Sequence, residues 1–484
     1  MLKNAMTTDP STDISAFKDF LLKFCTGGFR EDTIGLFRLA WMFAFLKHPH
    51  GDKRPVVAGE VLRKAAGKAM AIEFRLPWKE AGGKFQYGLN TPDGVNMVVL
   101  MIHDTLRQNM DHSATTVDGR NAFNAASRQK ILDMVYATFP QLAHFVETWY
   151  LTPSPLWFYM LDHSVGTIMS RERVQQGDVI ATFLFTLLYA LVLLNIFNRM
   201  HILCSSVQLF AILDDITFTG PAHLSERMFE ICTEELATIN ILTVPRKTHL
   251  LVNNSHLHTL PGNLNPEIQV HTDGIALLGT AIGNDEFLSS FLENKIEGIR
   301  ALLGKVSKLQ SLHSKFQILK LSVNAKLRHL LRSLIPSRQP VRDFCAQFDQ
   351  IVQSFFLSSF HIQDATQDLL NQASLSTAHG GMGLLSLAEM APISFLASLR
   401  NILSEFTIRN ADATDPSRIL AQWSYEAEAN SAWDAFHLLP DQMLNQGTQT
   451  MWGTSLSSIL HSSAPSINSK ACTAKQSTPI SSHW

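Results

Sequence analysis

The 484-residue sequence has no paired cysteines. Its five, Cys25, Cys204, Cys232, Cys345 and Cys472, stand singly, without a Cys-x-x-Cys pair or a His at zinc-ligand spacing. That excludes a disulfide framework and a zinc knuckle, and predicts reduced, mostly buried thiols. Net charge is missing too: the formal value is −2, so the chain-wide average favours no nucleic-acid partner, although averages hide local runs. The first fifteen residues, MLKNAMTTDPSTDIS, lack the apolar core of a signal peptide, which predicts an intracellular protein, nuclear or cytoplasmic. No internal repeat or low-complexity array is visible.

What is present begins with one long uncharged run, residues 179–197, VIATFLFTLLYALVLLNIF. Its length is close to that of a membrane span, but a helix apolar all round is equally expected at the centre of a large core. The polar Gln175-Gln176-Gly177-Asp178 directly before it, and its being the only such run, favour the buried helix and no membrane. Apolar spacing suggests helices over residues 17–45, a turn at Gly51 entering a short strand, and a helix over 61–72. Strand-like pieces at 114–117, 209–213 and 248–252 alternate with helical stretches, which argues for an α+β or α/β class. Long amphipathic helices are expected from Phe287 to about Phe406, and the Ser, Thr and Asn-rich end after Gly447 is expected to be poorly ordered.

Two stretches carry carboxylates where apolar residues surround them. In QLFAILDDITFTG, Asp214 and Asp215 sit side by side, and buried like charges need compensation. A hairpin turn explains the pair, since Asp favours turns; so does a divalent cation taking oxygen ligands at a hairpin tip. In TTVDGRNAFNAASR, a short β-branched run ends in Asp118, which is either a helix N-cap or a partner of Asp214 and Asp215 across adjacent strands. Three carboxylates converging there could hold two hard cations, the two-metal arrangement of phosphoryl transfer.

The segments VDGRNAFNAASR, RVQQGD, ILDDI, VPRKTHLLV and GIALLGTAIG, in that order, resemble the polymerase motifs of reverse transcriptases, and most closely those of non-LTR (LINE-type) retrotransposons. GDKRPVVAGEVLRKAAGKAMA upstream is similar to the family's fingers segment, and Gly380-Gly-Met-Gly-Leu384 to a segment beyond the thumb. The resemblance implies an α+β right-hand polymerase, with fingers over 1–110, a palm over 111–286, a helical basic thumb and connection over 287–406, and a C-terminal tail over 407–484. It implies an RNA-directed DNA polymerase with an RNA template, a DNA primer, deoxynucleoside triphosphates and two magnesium ions, or manganese in their place.

By the same resemblance Asp118, Asp214 and Asp215 match the catalytic, metal-binding aspartates. Phe123 matches the aromatic that excludes a ribose 2′-hydroxyl, though a core anchor is the plain alternative. Gln176 and Gly177 match the turn lining the nucleotide pocket, Arg54 the fingers arginine on the triphosphate with Lys47 as helper, and Lys247 the lysine near the departing pyrophosphate. Between Lys295 and Arg342 the chain carries eleven Lys and Arg against Glu297 alone among acids, a solvated face or a phosphate-gripping thumb. Relatives usually have Tyr at Ile212, Gly at Arg173 and Glu at Asn96. These departures keep a second expectation in play, a decayed remnant that binds nucleic acid without polymerising. A viral RNA-dependent RNA polymerase would carry Gly before the Asp pair, and too little sequence precedes the fingers for an apurinic-type endonuclease.

Overall fold

The computed structural model describes residues 15–26, 28–47, 52–172, 174–377, 380–409 and 425–437. The readings made for Gly51, Arg173 and the end after Gly447 lie outside the described residues. Strands run in chain order as β1 (Ala40–Lys47), β2 (Asp52–Gly59), β3 (His112–Val117), β4 (Ser154–Tyr159), β5 (Val165–Ser170), β6 (Gln208–Ile212), β7 (Asp215–Pro221), β8 (His249–Val252), β9 (Gln269–His271), β10 (Gly274–Leu277) and β11 (Thr280–Gly283). They form three sheets, ordered β2-β1-β4-β5, β6-β7-β3-β8-β9 and β10-β11. Helices are placed apart from the strands rather than alternating with them regularly, so the class is α+β.

The chain divides into two compact units, one of Met1–Thr91, Thr115–Leu250 and Leu260–Gln269, the other of Pro92–Ala114, Leu251–Thr259 and Val270–Trp484. In the first, the apolar run is the helix Ala181–Leu203, and 61% of its most apolar window is buried. Phe183 stacks on Trp78 with ring centroids 4.0 Å apart and meets Phe139 edge-on at 5.2 Å, so aromatic packing fills the space a bilayer would otherwise occupy. The helices expected over residues 17–45 are found only as Ser15–Thr26 and Glu31–Phe37, because residues 40–47 form β1 instead. β1 pairs antiparallel with β2 and parallel with β4, and Trp41 stacks on Tyr159 at 4.8 Å, so cross-strand pairing overrides a pattern with no clean period.

The second unit is built on the helices Asp285–Val306 and Gln339–Ser359. Leu288, Leu292, Ile296, Ile299 and Leu303 recur at three- and four-residue spacing and face Val341, Phe344, Phe348 and Val352 in one core. Asn284 caps the first helix, its side chain accepting from the Phe287 amide at 2.9 Å. Between these helices the expected long helix is broken into Leu312–Ile318, a π-turn at Leu319–Val323 and a 3₁₀ turn at Arg328–Arg332. The cause is Asn324, fully buried, whose amide donates to the Leu385 carbonyl at 2.8 Å and accepts from the Leu385 amide at 3.2 Å. Bonds to a distant strand of chain compete with the regular helical ladder.

The basic run is therefore only partly a solvated face. Arg332 grips Asp93, Arg338 grips Asp285, and Arg328 is bonded to Asn324, whereas Arg300, Lys305, Lys308, Lys326 and Arg342 are exposed.

His103 in this unit generates a pH prediction. The Tyr425 hydroxyl donates to the Leu100 carbonyl at 3.1 Å, so the 2.7 Å contact between Tyr425 and His103 Nδ1 has the imidazole N–H as donor. Burial, then the charges of Arg107 and Arg338, push the imidazole from 6.5 down to about 4. The unfolded chain takes up the proton first as pH falls, so stability is full above 6.5 and declines toward 4, by on the order of 3 kcal/mol. Urea midpoints across that range should fall, and His103→Gln should flatten the decline.

Candidate active site

Asp118 leaves the end of β3 and is fixed by its backbone: its carbonyl accepts from the Val244 amide at 3.0 Å, and the Arg120 amide donates to Leu242 at 2.8 Å. Gly119 fits between them because a Cβ there would lie 2.9 Å from Ile241 Cγ2. The short helix that follows, Ala122–Ala125, has Asn121 at its N-cap and no side-chain cap bond. Asp118 is thus not the cap of this helix. Its carboxylate stands 3.7 Å from Lys247 Nζ, each side chain 31% exposed.

Asp214 and Asp215 do occupy a hairpin. Ile212 pairs with Asp215, so Leu213 and Asp214 make a two-residue turn between β6 and β7. Leu213 has φ of +57°, a left-handed conformation that a leucine adopts at a cost of about 1 to 2 kcal/mol. Asp214 is half-buried and Asp215 exposed. Tyr189, from the middle of the apolar helix, donates to the Asp214 carbonyl at 3.3 Å. Burial first, then the charges of Asp214, Cys232, Asp215 and Asp118, hold the Tyr189 phenol well above its ordinary range, so it stays a neutral donor. All three aspartates thus act on one buried hydroxyl.

The Gln176-Gly177 turn is seated against β2. Val57 N–H donates to the Gln176 carbonyl at 2.7 Å, and Gly177 has φ of +106° with the Val57 oxygen 2.4 Å from where a Cβ would be. Only glycine fits. The next residue, Asp178, is paired with Arg63, both nearly buried, and accepts from the Tyr150 hydroxyl at 2.8 Å and the Ile180 amide at 3.1 Å. The Arg63 guanidinium lies over Trp149 and Tyr150 at 5.1 and 5.5 Å. Phe123 stacks on Phe185 at 4.4 Å, so one face is core while the residue also borders solvent.

Asp118, Phe123, Gln176, Asp214 and Lys247 line a single polar cavity of ≈ 500 Å³, along with Arg120 and Arg246. Gly177 and Asp215 are outside its lining, and Arg54 is placed by its backbone on β2, opposite Phe45. Among the described residues no three His, Cys, Asp or Glu side chains form a metal cage. Magnesium, however, is commonly held by one or two carboxylates with phosphate and water completing its shell, and the pair Asp118 and Asp214 fits that donor set. Gln86 and Tyr189 were missed by sequence reasoning: each reaches the aspartate turn from a distant part of the chain.

No known protein-family profile matches the chain. It is 24% identical over 367 residues to the retrotransposable element SLACS 132 kDa protein of Trypanosoma brucei gambiense, a match over 72% of this chain. That similarity to a retrotransposable-element protein runs in the same direction as the resemblance read from the motifs. The chain spans 28% of that relative's length. Solved structures similar to it include telomerase from Candida albicans in complex with a fragment of telomeric RNA, at TM-score 0.47 and 10% identity over 83% of this chain and 64% of that one. Another is apo telomerase from Candida tropicalis, at TM-score 0.42 and 11% identity over 80% of this chain and 68% of that one. The α+β class expected from the sequence is the class the three sheets and the separate helices form.

Gly177→Ala should cost on the order of 2 kcal/mol, since the new Cβ meets the Val57 carbonyl oxygen of β2 and the backbone is in the left-handed half of φ space. Thermal unfolding measures it. An unshifted transition would show that β2 yields without cost.

Proposed function

We propose that the chain is an RNA-directed DNA polymerase that adds deoxynucleotides to a primer 3′-hydroxyl. One observation carries the proposal: five of the eight residues assigned to the site from sequence, Asp118, Phe123, Gln176, Asp214 and Lys247, line one cavity. The kinship with a retrotransposable-element protein supports the same activity.

Asp118 and Asp214 are the residues that would hold magnesium, with Asp215 adding negative charge beside them. When bound, the ions supply charge that favours the ionised primer hydroxyl and the departing pyrophosphate. Lys247, beside Asp118 on the cavity wall, would meet phosphate charge. Phe123, stacked on Phe185, lines the cavity where a deoxyribose would sit. Gln176 borders the nucleotide, and the cavity's arginines, Arg120 and Arg246, add positive charge around it. The RNA template and DNA primer would be gripped by backbone phosphates, for which the exposed Lys305, Lys308 and Lys326 are suited.

Primer extension on an RNA template with magnesium tests the activity. Asp118→Asn and Asp214→Asn should each lower extension by about a thousandfold or more, with template-primer affinity by fluorescence anisotropy changing little. Wild-type binding without extension would identify the nucleic-acid-binding remnant instead, a reading that Ile212, aliphatic at the edge of the aspartate turn, favours.

Salt dependence tests the grip separately. Lys305→Ala and Lys308→Ala should each reduce the slope of log affinity against log salt by about 1, uniformly across template sequences. An unchanged slope would assign the phosphate contacts to another surface.

A further inference from the structure

We propose that Gln86 is a positioning residue that fixes the turn bearing Asp214, and with it the distance between the two cavity carboxylates. Its consequence for catalysis rests on the polymerase activity proposed above; its effect on the turn does not.

Gln86 is 2% exposed and lies beneath the hairpin. Its Oε1 accepts from the Leu213 amide at 2.8 Å and the Gly88 amide at 2.9 Å, while its Nε2 donates to the Leu213 carbonyl at 3.1 Å. One side-chain amide therefore satisfies both backbone polar groups of a residue held at positive φ. The amide's orientation is fixed, because flipping it would set donors against donors. The backbone around it is locked by a parallel bridge to β6: the Tyr87 amide donates to Ala211 at 2.8 Å, and the Ala211 amide to Phe85 at 2.8 Å. Gly88 is part of the device, since a Cβ there would stand 2.8 Å from the Leu213 nitrogen. From the other side Tyr189 holds the Asp214 carbonyl.

A leucine at a two-residue hairpin position that suits Gly or Asn gains nothing locally from its conformation. Such strain persists only where the surroundings over-determine it. Here Gln86 does so: without it the Leu213 N–H and C=O lose their partners, the residue can leave the left-handed region, and Asp214 turns away from Asp118. Glutamate cannot substitute, because an ionised carboxylate lacks the donor and faces the Leu213 carbonyl with negative charge.

The test compares wild type with Gln86→Ala, Gln86→Glu and the double variant Gln86→Ala with Leu213→Gly. In the metal-free protein, amide hydrogen exchange over residues 209–218 should quicken at least tenfold in both single variants, with the helix Ala181–Leu203 still protected as a control for folding. The glycine of the double variant adopts positive φ without strain and should return part of the protection. In primer extension, kcat should fall more than tenfold in Gln86→Ala with KM for template-primer near wild type, and partly recover in the double variant. Unchanged exchange at the turn in both single variants, or a double variant no better than Gln86→Ala, overturns the proposal. Faster exchange in a wild-type background that does not extend primers would instead uphold the clamp and remove only the polymerase reading.

Discussion

Two carboxylates can share one cavity only if each is held against their mutual repulsion, and the Leu213-Asp214 turn is where this protein meets that constraint. Two residues must reverse the chain between β6 and β7 and leave Asp214 aimed into a cavity that Asp118 already lines. The conformation required is poor for leucine, so its support comes from elsewhere in the chain: a buried amide from before β3 and a phenol from the apolar helix. Remote parts of the sequence are thus bound to one tight turn, and the core packing of the Ala181–Leu203 helix becomes a condition of the site's geometry.

The Gln176-Gly177 turn is followed directly by a buried ion pair. Breaking such a pair typically costs about 3 to 5 kcal/mol, although an apolar replacement of both partners is often neutral. In this protein the Arg63–Asp178 pair does more than balance charge, because Asp178 follows Gly177 directly and also binds Tyr150 and Ile180. A hydrophobic substitute would keep the volume and lose the direction. Arg128 extends the network by donating to the carbonyls of Tyr150, Ser170 and Glu172, which ties β5 to it.

Much of this was legible in the sequence and some was not. Three strands of the five-stranded sheet, β3, β6 and β8, were found within about two residues because each is a short β-branched or aromatic run bounded by turn residues. The aspartate hairpin could be read as a turn or as a metal site; the structure makes it a turn and leads one of its carboxylates to the cavity. β1 was not legible, since Ala40–Lys47 has apolar residues on both faces and its partners lie in β2 and β4. The broken helix after Ser311 was hidden for a similar reason: Asn324 looks like an ordinary helical polar residue until Leu385 is beside it. Gln86 was hidden too, because nothing in its local pattern says that its amide is buried under a turn 127 residues away. Local periodicity reports faces and breaks, whereas long-range side-chain to backbone bonds leave no periodic trace.

The apolar helix has one more consequence, and it concerns synthesis. As the nascent chain emerges, Trp78 and Phe139 are already available to cover one side of Ala181–Leu203, but β6 and the helix Ser225–Ala237 that pack on it are still to come. For that interval the ribosome presents a strongly apolar segment as long as a bilayer span, which both chaperones and the membrane-insertion machinery are built to bind. A fragment ending before Ala237 would keep that surface open permanently. The smallest piece of this protein that covers its most greasy helix therefore runs well past the aspartates that helix helps to hold.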